Sequence, residues 1–338
     1  MRGVAYGLGS AVLFGVSAPL AKLLLPGINP ILFAGLLYLG AGVGLSAVRV
    51  VQRTEEAPLQ RSDWPRVLGT VLLGGLLGPI LLMVGLTHLS GVPASLLLNL
   101  EAPLTILIAV FAFHDHLGAM GGVAVAILLA GSALVAGVPG HWQVGLTGVA
   151  SVVGACVAWA VDNNLSERLS LRDPVAVVRA KALGAGTLAT ALGLVWSPSW
   201  PSHLGWILLL GFFCYGMSAA LHVRAQRELG AARQAALFSS APFIGALASI
   251  LLLHERLTSV DILAGGVMAV GMFLLLKSRH AHPHAHDGVD HEHLHSHDEH
   301  HLHGHVPSVK GPHSHPHRHI GLTHDHPHVP DLHHHHRH

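Results

Sequence analysis

Charged side chains are scarce in this 338-residue sequence, in which 11% of the residues are charged and 51% are hydrophobic. A soluble domain carries about 25% charged residues, so most of this chain does not resemble a water-soluble fold. Cysteine is scarcer still. Its two copies, Cys156 and Cys214, both lie in apolar runs, which excludes a disulfide framework or a cysteine-based zinc motif.

Motifs of soluble enzymes are also missing. The sequence contains no phosphate-binding loop, no nucleotide-binding fingerprint and no serine-nucleophile motif. His291 to His295 match the pattern His-Glu-x-x-His, but a tract this rich in histidine produces that match by chance. The sequence therefore predicts neither an enzyme nor a nucleic-acid partner.

Long apolar runs fill residues 1–278 and predict an all-α polytopic membrane protein with ten transmembrane helices. A transmembrane helix needs about 20 apolar residues, and each run is close to that length. The runs cover residues 3–25, 29–51, 66–88, 92–113, 119–138, 145–165, 174–196, 204–224, 231–253 and 259–277.

Lysine and arginine are concentrated on one predicted side of the membrane. That side holds Arg2, Arg49, Arg53, Arg61, Arg66, Arg168, Arg172, Arg224, Arg227, Lys277 and Arg279. The opposite side holds only Lys22 and Arg256. Because basic residues mark the cytoplasmic side, both termini are expected in the cytoplasm.

The sequence repeats itself. Ala102-Pro103 aligns with Ala241-Pro242, and His114-Asp115 aligns with His254-Glu255 after a one-residue slip. Each repeat holds five predicted helices, an odd number, so the second repeat is inverted relative to the first. This pattern is typical of secondary transporters, which bind substrate near the midplane between the repeats. The predicted domains are 1–138, 139–278 and a tail over 279–338.

Glu101 lies near the middle of the fourth apolar run, where a carboxylate costs on the order of 2.5–3.5 kcal/mol on insertion scales. Helical spacing places Thr105 on the same face as Glu101, while Asn99 points to a different side. Pro103 frees a backbone carbonyl nearby. We expect Glu101 to face the transport pathway and Asn99 to form a helix–helix hydrogen bond.

Further polar residues narrow the predicted pathway. Trp159 and Asp162 lie near the end of the sixth run. Asp162 either caps the helix at the cytoplasmic interface or forms a salt bridge with Arg179. Snorkelling to the interface is the expected role of Arg179 and Lys181. The predicted substrate-binding residues are Glu101, Asn99, Pro103, Thr105, Trp159, Asp162, Ser240 and Pro242.

The ten helices, the Ala-Pro helix in each half and the Asn-Leu-Glu-Ala-Pro run at 99–103 resemble the EamA-like family of the drug/metabolite transporter superfamily. The endings His-Asp-His-Leu at 114–117 and His-Glu-Arg-Leu at 254–257 add to the resemblance, which covers about residues 3–277. It implies a multi-pass inner-membrane carrier, often an exporter of amino acids or other small metabolites, working by alternating access.

The tail contains 24 histidines between residues 280 and 338, mostly in His-x-His spacing. Side chains two apart in an extended chain share a face, and neutral imidazole suits zinc, nickel, cobalt and copper. The segment has no apolar core, which predicts disorder without metal. The predicted ligands are His313, His315, His317, His319, His324, His326, His328, His333, His334, His335 and His336.

Three functions fit these features. The first is a secondary transporter, with or without proton coupling, for a small organic metabolite, with Glu101 as its substrate or proton site. The second is a transporter of zinc, nickel or cobalt whose tail binds or senses the cargo. The third is a membrane-anchored metal store. The lipid bilayer and a small-molecule substrate are the predicted partners, no cofactor is required, and the oligomeric state is left open.

Overall fold

The computed structural model of the chain describes the membrane part almost throughout and short pieces of the tail. The described residues are 2–51, 57–113, 117–137, 142–166, 169, 172–229, 234, 237–277, 280–285, 290–295, 313–318 and 323–328. The predicted ligands His319 and His333 to His336 lie outside these ranges, as does the predicted pair His114-Asp115.

Helices follow the predicted apolar runs in order. They are α1 (Arg2–Leu24), α2 (Pro30–Val51), α3 (Arg61–His88), α4 (Gly91–Ala112), α5 (Ala119–Ala136), α6 (Trp142–Ser166), α7 (Pro174–Trp196), α8 (Leu204–Gln226), α9 (Ala241–Leu253) and α10 (Ser259–Lys277). Among the described residues, nine of these stretches are long and apolar enough to cross a bilayer, and α9 is shorter. The chain is therefore a multi-pass, all-α membrane protein, which confirms the predicted class.

Two helices widen into a π-helical segment of seven residues each. Val71–Leu77 forms this segment in α3, and Gly211–Met217 forms it in α8. Such segments are rare and are frequent at functional sites. Their matching positions in the two halves show that the halves share more than their hydropathy.

The Ala-Pro pair of each half lies at the start of a helical segment. In α4, a 3₁₀ turn over Leu98–Leu100 precedes the α-helix that begins at Glu101. In the second half, α9 begins at Ala241. A proline in the first turn is well tolerated because its missing N–H would have had no helical partner.

Helix packing joins the first half to the second. Helix α2 lies along α7, α5 lies along α10, and α1 packs on α8 just as α6 packs on α3. Small residues allow the closest of these approaches. A Cβ added at Gly186 of α7 would lie 2.5 Å from the Leu39 nitrogen of α2. The predicted domain boundaries at 138 and 278 remain a prediction.

Four short strands lie in the tail: β1 (His280–Ala285), β2 (Asp290–His295), β3 (His313–Arg318) and β4 (Thr323–His328). Strand β1 pairs with β4 and β2 pairs with β3, both antiparallel. That the tail is disordered without metal stays a prediction.

Candidate functional site

Glu101 lies where α4 meets α6. Its Oε1 atom accepts a hydrogen bond from the Asn163 side-chain amide at 2.9 Å, and the same amide lies 3.3 Å from the Thr105 hydroxyl oxygen. Asn164 donates to the Thr105 carbonyl at 3.2 Å. Glu101 is half-buried, and Asn163 is exposed. The carboxylate is therefore held by a neutral donor that is itself exposed.

Asp162 forms an ion pair with Lys181 of α7. Asp162 is buried, and its helix continues to Ser166, so its predicted role as an interfacial cap was wrong. The alternative partner Arg179 was also wrong, as was the snorkelling role of Lys181. Residues two positions apart point to different sides of a helix, and packing of α7 turns Lys181 rather than Arg179 toward α6.

The π-helical segment of α3 contributes a backbone acceptor beside this pair. The Gly74 carbonyl accepts hydrogen bonds from the Tyr38 hydroxyl at 2.9 Å and from the Trp159 indole N–H at 3.0 Å. Asp162 packs directly against Gly74, where an added Cβ would collide with the carboxylate. Glycine is thus required at position 74 for the carboxylate to lie where it does.

Aromatic rings connect the two halves next to these polar groups. The Phe14 ring meets the rings of Trp159 and Tyr215 edge-on, with centroid distances of 6.0 and 6.2 Å. Tyr38 lies 5.6 Å from Tyr215. Edge-to-face contacts of this kind favour fixed ring orientations. These ring contacts join α1, α2, α6 and α8.

The other predicted site residues lie in different surroundings. Asn99 is buried and donates to the Leu96 carbonyl at 3.2 Å and to the Met268 sulfur of α10 at 3.6 Å, a helix–helix contact as expected. Pro103 is buried within α4. Ser240 donates to the Leu237 carbonyl at 2.6 Å, and Pro242 lies in the first turn of α9. The structure thus brings together Glu101, Thr105, Trp159 and Asp162.

In the tail, the backbone register places histidine opposite histidine. His280, His282 and His284 of β1 pair with His328, His326 and His324 of β4. His291, His293 and His295 of β2 pair with His317, His315 and His313 of β3. Six of the predicted metal ligands therefore lie at paired positions. Among the residues whose side chains the structure describes, no group of three or more His, Cys, Asp or Glu is placed to hold a metal ion.

At the opposite end of the molecule, two charged side chains hold the connection between α3 and α4. Glu255 accepts hydrogen bonds from the backbone N–H groups of Gly91 and Val92 at 2.6 and 2.8 Å. Lys22 donates to the Leu86 carbonyl at 2.8 Å and also contacts the Leu89 carbonyl. We call these four contacts the α3–α4 clamp. The positive charge of Lys22 lies at the C-terminal end of α3, and the negative charge of Glu255 lies at the N-terminal end of α4. Each is the charge that the helix dipole favours at that end.

Several residues of the candidate site and of the clamp were not predicted from the sequence. Tyr38, Tyr215, Lys22 and Glu255 each lie in or beside an apolar run, and only their polarity at membrane depth or at a helix end could have singled them out. Hydropathy does not predict the π-helical segments.

Comparison with known proteins gives a consistent result. The model of the EamA-like transporter family matches residues 1–137 and 146–277. An uncharacterized transporter of Methanothermobacter thermautotrophicus is 28% identical over 287 residues, covering 79% of this chain and 83% of the relative. The uncharacterized transporter YvbV of Bacillus subtilis is 26% identical over 280 residues, covering 79% and 89%.

A solved crystal structure shows the same fold. It superposes with a TM-score of 0.60 at 18% sequence identity and covers 80% of this chain and 95% of that protein.

Proposed function

Because the chain belongs to the EamA-like transporter family, we propose that it exports a small organic metabolite, such as an amino acid, by alternating access. That it is a membrane transporter follows from the family, and the family argues for a carrier rather than an enzyme. The substrate class, the direction and the mechanism are our proposal.

The position of Glu101 is the observation that carries the proposal. Its carboxylate lies halfway along α4, among helices that are long enough to span the bilayer. The neutral side-chain amide of Asn163 donates a hydrogen bond to it. Placing an ionisable group at this depth of the membrane costs free energy, and such groups mark substrate or proton pathways. We assign to Glu101 the binding of the substrate or of a coupled proton.

Replacing Glu101 with glutamine tests this assignment, since Glu101→Gln keeps the shape and removes the charge. We expect transport in proteoliposomes to fall to the background of empty vesicles while the protein still inserts, with amino acids and other small metabolites as the screened solutes. Glu228→Gln is the matched control, because Glu228 is an exposed carboxylate just beyond the end of α8. Transport that survives in Glu101→Gln contradicts the assignment.

An organic solute is favoured over a divalent metal by the groups around Glu101. Asp162 is already paired with Lys181, so Glu101 is left to supply the carboxylate, which is fewer ligands than a metal site usually has. Amide and hydroxyl groups, supplied here by Asn163 and Thr105, suit hydrogen bonding to a polar organic molecule.

Metal transport is the second candidate, favoured by the paired histidines of the tail. The cross-strand register in β1–β4 and β2–β3 brings histidine positions together in pairs, which suits chelation of zinc, nickel, cobalt or copper. We propose that the tail binds such a metal in either case. Equilibrium dialysis of the full chain with zinc should give bound metal that falls when His313, His315 and His317 are replaced by asparagine. Zinc flux in proteoliposomes that depends on Glu101 would favour the metal carrier.

We further propose that the membrane is the cell inner membrane and that both termini are cytoplasmic. The concentration of lysine and arginine on one side supports this orientation. Reporter fusions after Lys277 and within the α9–α10 connection should report opposite sides of the membrane.

A further inference from the structure

A small cavity lies beside the α3–α4 clamp, where the α9–α10 connection meets the start of α4. Its volume is about 190 Å³, which is smaller than the pockets of roughly 300–1,000 Å³ that hold drug-sized ligands. A cavity of this size suits a solute of a few heavy atoms. Its polar lining residues are Ser90, Glu255, Arg256, Thr258 and Asp261.

The Glu255 carboxylate is already engaged by the clamp. Its Oε1 atom accepts the Gly91 N–H at 2.6 Å, and its Oε2 atom accepts the Val92 N–H at 2.8 Å. A solute that bound to Glu255 would have to compete with both of these charge-assisted hydrogen bonds. Glu255 is therefore not the available acceptor of this cavity.

The Asp261 carboxylate is only half engaged, although the residue is buried. Its Oδ2 atom accepts the Thr258 backbone N–H at 2.9 Å and the Thr258 hydroxyl at 2.7 Å, and the Asp261 N–H donates to that hydroxyl oxygen at 3.1 Å. This reciprocal pair caps the start of α10. The Oδ1 atom is buried and has no hydrogen-bond partner among the described residues. Capping thus explains one oxygen and leaves the other without a donor, which costs free energy.

Arg256 supplies the opposite charge to the same cavity. It is exposed, and in the described part of the chain it forms no ion pair, either with Asp261 or with another carboxylate. Its planar guanidinium group carries five N–H donors in a fork that matches a carboxylate. The cavity is therefore bordered by a carboxylate with unused acceptor capacity and by a guanidinium group without an anion.

We propose that this cavity is a second solute site, separate from Glu101, which binds a small α-amino acid as a zwitterion. The ammonium group of the amino acid donates to the Asp261 carboxylate, and its carboxylate accepts from the Arg256 guanidinium group. A simple amine or a simple carboxylate meets only one of these two groups. The inference deepens the proposed function, on which the choice of an amino acid as the solute rests.

Equilibrium dialysis of radiolabelled L-alanine against the purified full chain tests the site. The chain carries Glu101→Gln, so that the carboxylate assigned to the transport pathway does not contribute. We expect saturable binding that weakens about tenfold or more in Asp261→Asn and in Arg256→Gln, because each variant loses one charge-assisted hydrogen bond. Asp261→Asn keeps an oxygen that accepts from Thr258, so the cap of α10 is retained. Arg61→Gln is the matched control, because Arg61 is an exposed arginine at the start of α3.

Competition with unlabelled solutes tests whether both charges of the amino acid are read. We expect glycine to displace L-alanine, and ethylammonium and acetate each to do so about tenfold less well. Displacement by ethylammonium as strong as that by glycine would show a cation site only, and the same result with acetate would show an anion site only. Either result overturns the inference.

Absence of saturable L-alanine binding also overturns the inference, as does binding that either site variant leaves unchanged. If Asp261→Asn does not fold, Arg256→Gln alone decides, because Arg256 is exposed and its replacement leaves the cap of α10 intact. The proposed function fails in a different experiment, through solute transport that persists in Glu101→Gln. The two failures are therefore distinguishable.

Discussion

Replacing Glu255 with alanine tests how much the α3–α4 clamp stabilises the connection between α3 and α4. The carboxylate accepts two backbone hydrogen bonds from the first turn of α4, and the Ser90 side chain, which precedes that turn, provides no capping bond. A hydrogen bond to a charged group contributes about 1.5–3 kcal/mol, and the lower value applies here because Glu255 is half-buried. We therefore expect Glu255→Ala to lower the free energy of unfolding by about 3 kcal/mol.

Glu255→Gln should lose roughly half of that amount, because the amide oxygen still accepts one neutral hydrogen bond. Reversible unfolding in mixed micelles, followed by helical circular dichroism, measures both changes. Glu228→Ala is the control, since it removes an exposed carboxylate just beyond the end of α8. Lys22→Met combined with Glu255→Ala should lose less than the sum of the single variants, because Lys22 and Glu255 attract each other.

A Glu255→Ala variant as stable as Glu228→Ala would refute the reasoning. It would mean that water satisfies the two amides as well as the carboxylate does, and that the clamp has no energetic role.

Three further predictions concern other parts of the chain. Gly74→Ala should abolish transport, because the added Cβ collides with Asp162. Gly122→Ala should leave transport unchanged, since nothing lies within 4 Å of its added Cβ. Flux measurements in proteoliposomes compare the two variants. Asp173→Ala should lower the free energy of unfolding by about 1–3 kcal/mol, since Asp173 caps α7 at 2.9 Å and pairs with Arg49 at 2.7 Å; micellar unfolding measures the loss. Deleting residues 279–338 should leave the apparent melting temperature of the membrane part unchanged and remove most bound zinc, and failure to insert would contradict an accessory role for the tail.

The sequence was sufficient for the helices and for the carboxylate in α4. Hydropathy located ten apolar runs because spanning length is set by the bilayer. Glu101 and Asn99 fell on different faces as helical spacing predicted, and Asn99 reaches Met268 of α10. These conclusions required only local geometry, which the order of residues along one helix specifies.

The partner of Asp162 could not be read in the same way. Arg179 and Lys181 both lie near the start of the same helix, and only the rotation of α7 against α6 decides between them. That rotation depends on packing between helices far apart in sequence. The Gly74 carbonyl was likewise hidden, because the π-helical turn that presents it to Tyr38 and Trp159 has no compositional signal.

The positions of the two π-helical segments also bear on how the two halves of the chain arose. Each adds a widened turn to a helix at the same place in its half, at Val71–Leu77 and Gly211–Met217. Two independent insertions at matching sites are less economical than one insertion in a common five-helix ancestor that was later doubled. The widened turn is present in both halves, although only one half contains Glu101, so the shape of the turn does not depend on that carboxylate.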